Sequence, residues 1–228
     1  MLLKAPFVWR GVTWGDAIEV AGVYVVLALY RSVRRAATTE ASGARARLLE
    51  FAAITYALGH GIHVAANSAH DMLSATGGGD PWGLVALWDE GIGHYLTDIG
   101  RIAFAIGLTW TESAAARGAA RGAARDVAAR SAARPDASRR LLLPGAAAYG
   151  FIYFATAVEG QTAPLALPFC AAYAAWSARR AIRAGKTGAV DAPIRAFYTV
   201  AAWMALLLFA VWAAMEGGLP EFTKVGIL

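Results

Sequence analysis

The stretch Leu48-Leu49-Glu50-Phe51-Ala52-Ala53-Ile54-Thr55-Tyr56-Ala57-Leu58-Gly59-His60-Gly61-Ile62-His63-Val64-Ala65-Ala66-Asn67-Ser68-Ala69-His70-Asp71 decides the fold. Its first half is largely apolar and its second half carries three of the four histidines of the chain. At about 100° per residue, His60, His63, Asn67, His70 and Asp71 share an arc of roughly 100° on one helix. A companion stretch, Trp88-Asp89-Glu90-Gly91-Ile92-Gly93-His94-Tyr95-Leu96-Thr97-Asp98, repeats the arrangement. On it Glu90, His94, Thr97, Asp98 and Arg101 line up in the same way. Two apolar helices with facing polar stripes predict an all-α bundle inside a bilayer, because isolated polar stripes in lipid must meet partners.

Composition agrees with that class. Of 228 residues, 58% are hydrophobic and 16% charged, against about 25% charged in soluble domains. The mean hydropathy is +0.46. A single cysteine, Cys170, excludes an internal disulfide framework and a thiolate zinc cluster. Residues 1–16 lack the apolar core of a cleavable signal, so insertion is expected to rely on the first spanning helix. Its flank holds Phe7, Trp9 and Trp14, which suits a membrane interface.

Outward from the histidine stretch, apolar runs and turn signals predict six transmembrane helices, at about 13–33, 48–73, 82–112, 141–160, 164–182 and 194–216. Gly77-Gly78-Gly79-Asp80-Pro81 and Gln161-Thr162-Ala163-Pro164 mark the turns on one side. On the other side lie a basic Ala/Arg-rich loop at about 113–140 and two shorter basic loops. Of the 21 Lys and Arg, all but Lys4, Arg10, Arg101 and Lys224 fall in or beside those three loops. The excess of positive charge assigns this side to the cytoplasm and both termini to the other side. The net charge of +5 is therefore a matter of topology, and nucleic acid is not an expected partner. The whole chain reads as one multi-pass membrane domain, in the cytoplasmic membrane if the source is bacterial.

In this orientation the acids and histidines gather in the outer half of the bilayer. An ionisable group there costs roughly 2.5–3.5 kcal/mol even on the lenient insertion scale, so such groups face one another, a cavity or an ion. Imidazoles and carboxylates are the ligands of zinc and of non-haem iron. His60, His63 and His94 are the expected ligands, with Glu90 as ligand or general base and His70 and Asp71 at the mouth. Glu19, Asp89, Asp98, Glu159 and Glu216 are further candidates. Asp89 points about 100° away from Glu90 on a regular helix, and Asp98 with Arg101 at i, i+3 reads as a structural ion pair. Gly59, Gly61, Gly91 and Gly93 are expected to let the two striped helices approach closely.

In architecture and chemistry the arrangement resembles the seven-helix membrane hydrolases of the alkaline ceramidase and adiponectin-receptor superfamily, which hold zinc with histidines from several helices. The chain departs from them in having six predicted helices and no paired histidines on the last one, so no residue role carries over. The sequence thus leads to a metal-dependent membrane enzyme, using zinc or iron on a lipid or other apolar substrate, with hydrolysis and oxidation both open. Its competitors are an ion- or proton-coupled transporter and a non-catalytic subunit binding haem or quinone through His60 or His94.

Overall fold

The structure, a computed structural model, describes residues 13–36, 43–74, 80–118, 136–184 and 192–227. They are helical almost throughout, and no strand forms among them. The helices are α1 (Trp14–Ala36), α2 (Ala44–Ser74), α3 (Asp80–Ala86), α4 (His94–Gly118), α5 (Asp136–Glu159), α6 (Ala163–Ala184) and α7 (Pro193–Glu216). A π-helical segment, Leu87–Gly93, joins α3 to α4 without a break, so these three pieces make one long rod. Among the described residues this makes six helical stretches, the number the sequence predicts. The expected loop at 113–140 is shorter than its composition suggests. Helix continues to Gly118 and resumes at Asp136, and the remainder of that loop lies outside the described residues.

Three stretches are long and apolar enough to cross a membrane: Ala44–His70, Leu142–Glu159 and Pro193–Glu216. A shorter apolar stretch covers Ala17–Ala28. Their faces are sorted the opposite way from a water-soluble helix. On α2 the exposed side presents Phe51, Ile54 and Leu58, while Ala52, Thr55, Gly59 and Ala66 are buried. On α7 Trp203, Leu207, Val211 and Met215 point outward and Ala201, Ala202 and Ala205 inward. Small residues on much of the inner face and large apolar ones outside suit helices that pack closely in lipid, with Tyr56, Phe209 and Trp212 as the large side chains turned inward.

The described chain forms two compact units, with the boundary between Phe104 and Ala105 inside α4. In the first, α2 lies along the π segment and the start of α4. A side chain at Gly59 would run into the backbone of Thr97, one at Gly93 would stand 3.0 Å from the backbone of His63, and one at Gly100 would strike Tyr56. Gly59 and Gly93 therefore serve the close approach expected of them. Gly61 does not, having nothing within 4 Å, and Gly91 would meet only a leucine of its own segment, Leu87. Gly100 takes their place, about two turns beyond Gly93 along the rod. Below this contact Phe104 packs on Tyr30 and Tyr56, with ring centroids 5.3 and 6.1 Å apart.

In the second unit α5, α6 and α7 enclose a core that includes Phe154, Val158, Cys170, Tyr173, Phe209 and Trp212. The α5–α6 connection is tight because its backbone groups are satisfied locally. Gln161 takes the left-handed conformation (φ 54°), the Thr162 N–H donates to the carbonyl of Ala157, and the Gln161 N–H donates to that of Val158. These are the two bonds of a Schellman ending. Glu112, near the end of α4, accepts the N–H groups of Ile194 and Arg195 at 2.7 and 2.9 Å. Its carboxylate thus caps the first turn of α7, where unpaired donors and the helix dipole favour an anion.

Candidate metal centre

Asp89 is the centre of the first unit's polar cluster. It is 1% exposed and sits in the π segment, facing α2. One carboxylate oxygen, Oδ1, lies 2.7 Å from His63 Nδ1, and the other, Oδ2, lies 3.4 Å from His70 Nδ1. The two histidines are seven residues apart on α2, hence nearly on one line and about 10 Å apart along the axis. A carboxylate placed between them reaches both rings. His94, the first residue of α4, brings its ring to 4.3 Å from that of His63, centroid to centroid. Beyond His63, Glu19 of α1 places Oε2 3.5 Å from His63 Nε2.

Two sets of donor atoms result, each within 4.8 Å: His63, Asp89 and His94, and His70, Asp89 and Glu90. Ligands about 2.1 Å from an ion stand between roughly 3.4 Å apart at tetrahedral angles and 4.2 Å apart when opposite, so both sets are close to preformed. The buried atoms themselves fit a cation. His63 Nδ1 and Asp89 Oδ1 are both buried and stand 2.7 Å apart. A cation held by both would satisfy them together.

The structure redistributes the expected roles. His63, His94, His70 and Glu90 come together as ligand-type donors. Asp89, the weaker acid on a regular helical wheel, is the residue that both sets share. The π segment is the reason. Its wider i→i+5 turn changes the angular step, so a face computed for a uniform α-helix is wrong across 87–93. The available signal was local: two acids followed by Gly91-Ile92-Gly93, with poor helix formers on both sides of one residue. His60 is in neither set. Both of its ring nitrogens are buried without a hydrogen-bond partner among the described residues, and its ring meets that of Tyr56 edge-on at 4.6 Å. Asp98 pairs with Arg101 at 3.1 Å, as the spacing predicts. The side chain of Asp71 lies outside the described residues. Glu159 and Glu216 belong to the second unit. There Glu159 accepts the N–H of Phe222 at 2.9 Å, and Glu216 is exposed where α7 ends.

No family model, curated protein or solved structure matches the chain.

Proposed function

We propose that the chain is a metal-dependent membrane enzyme whose ion is held by His63, His94 and Asp89, acting on a lipid or other apolar molecule reached from the bilayer. The observation that carries this reading is the preformed His63–Asp89–His94 grouping around a buried carboxylate. Two histidines and one carboxylate are the donor set of zinc hydrolases and of non-haem iron oxygenases alike. Such a set leaves positions for water or substrate. Zinc would supply an acidic bound water, and iron the activation of oxygen. Glu19 has a defined part in either case. It faces the nitrogen of His63 that does not meet Asp89, so it would hold the ring in the tautomer that leaves Nδ1 free to ligate. Glu90, beside Asp89, is placed to serve as a further ligand or as the general base.

Purification of the full chain in detergent without chelators, followed by elemental analysis and a visible spectrum, tests the reading. Stoichiometric zinc or iron is expected. A haem spectrum would overturn it in favour of a cofactor-binding subunit. Protein without metal, even after loading, would overturn it too and leave the His63–Asp89 pair to proton-coupled transport.

The same reading places all six helical stretches across the bilayer with both termini outside, on the strength of the basic loops and the outward apolar faces of α2 and α7. Reporter fusions after Gly43 and Ala184 should then report a cytoplasmic location, and a fusion at Thr162 an external one. An external signal from Ala184 would reverse the orientation.

A further inference from the structure

Asp89 uses its two oxygens differently, and that difference indicates how many ions the site holds. Oδ1 lies against His63, next to His94, whereas Oδ2 lies against His70. The two donor sets have only Asp89 in common. A single ion would be bonded to one set and would leave the other pair of donors, His70 and Glu90, without a role in binding. We propose that the centre is dinuclear, with Asp89 bridging two divalent cations: one bound by His63 and His94, the other by His70 and Glu90. This rests on the metal-enzyme reading above and extends it.

The geometry suits a bridging carboxylate. The His70 Nδ1 to Asp89 Oδ2 separation of 3.4 Å is the spacing of two ligands about 2.1 Å from one tetrahedral ion. On the other side the 2.7 Å separation has to open by roughly 0.7 Å to reach the same spacing around an ion. A carboxylate bridging through both oxygens holds its ions about 3.5–4 Å apart, the distance used by two-metal hydrolytic sites. Charge also favours it. Two ions carry four positive charges, and Asp89, Glu90 and the neighbouring Glu19 supply three negative ones around them. The wider π turn narrows the angle between consecutive side chains, and Asp89 and Glu90, adjacent in sequence, fall in one donor set. On a regular α-helix consecutive side chains diverge by about 100°.

The measurement is made on the full chain in detergent, stripped with chelator and reloaded with Mn²⁺ or Zn²⁺. Two ions per chain are expected, and the Mn²⁺ form should give the exchange-coupled resonance spectrum of a close pair instead of the six-line spectrum of isolated ions. His70→Ala should lower the count from two to one and restore the six-line spectrum. Asp89→Asn should lose both ions together. One ion per chain in the wild type, or two without exchange coupling, would overturn the bridge while leaving the metal-enzyme reading intact. Loss of a single ion in Asp89→Asn would also overturn it. No ion at all would overturn both. The wild-type count and spectrum need no variant to fold.

Discussion

Asp89→Ala should reduce metal affinity by more than about 100-fold and abolish turnover, whereas His60→Leu should leave bound metal unchanged. The contrast follows from what each side chain touches. Asp89 is buried, reaches His63 and His70 with separate oxygens, and belongs to both donor sets. Loss of a residue that merely orients a metal ligand commonly costs 10–100-fold in affinity, so loss of the shared ligand should exceed that range. His60 lies one turn from His63 on the same helix and looks equivalent in the sequence. In the structure its two nitrogens are buried without hydrogen-bond partners among the described residues, and its ring packs on Tyr56. Replacing such a group with an apolar one of similar size removes a desolvation penalty, so His60→Leu should be neutral or stabilising. Metal content by elemental analysis and thermal denaturation in detergent check both arms. If His60→Leu strips the metal while Asp89→Ala retains it, the centre has been assigned to the wrong residues.

The legible part of this protein is the part governed by regular periodicity and by breaks. Gln161 and Thr162 separate two helices, as the turn signal there predicts, whereas Gly77-Gly78-Gly79 lie outside the described residues. The stripe on α2 is also legible, since α2 is helical without interruption from Ala44 to Ser74. The partner stripe departs from a regular helical wheel at Asp89 because the rod changes its winding at Leu87–Gly93. The local hint of the π-helical turn is slight, poor helix formers at Gly91 and Gly93 after two acids. The contact that accompanies it is visible in Gly93, where a side chain would collide with the backbone of His63. The same limit applies to the glycines. Gly59 and Gly61 are indistinguishable by spacing alone, and only the position of Thr97 makes the first indispensable to close packing. Glu112 illustrates the converse: a carboxylate near a helix end next to a basic loop gives no hint that it caps a helix more than 80 residues away in the chain.

Asp98→Ala should destabilise the protein by about 3–5 kcal/mol, the usual result of removing one member of a buried ion pair. The side chain of Asp98 is 3% exposed and that of Arg101 14%, and the guanidinium donates to Asp98 Oδ1 at 3.1 Å. Alanine would leave Arg101 facing the interior of the first unit without the carboxylate opposite its charge. Asn, which keeps an acceptor oxygen and loses only the charge, should cost less. The double replacement Asp98→Leu with Arg101→Met should recover most of the loss, because exchanging a whole buried pair for apolar side chains of similar volume is commonly neutral or stabilising. Thermal denaturation of the purified variants in detergent gives the ordering: wild type and double variant together, then Asn, then Ala. Metal content separates this pair from the centre one to two turns away on the same rod. Asp98 is in neither donor set, so the Asn variant should retain its full complement of ions at temperatures where it remains folded. A folded Asn variant that lost its metal would place Asp98 among the ligands, and the pairing with Arg101 would then be secondary to that role.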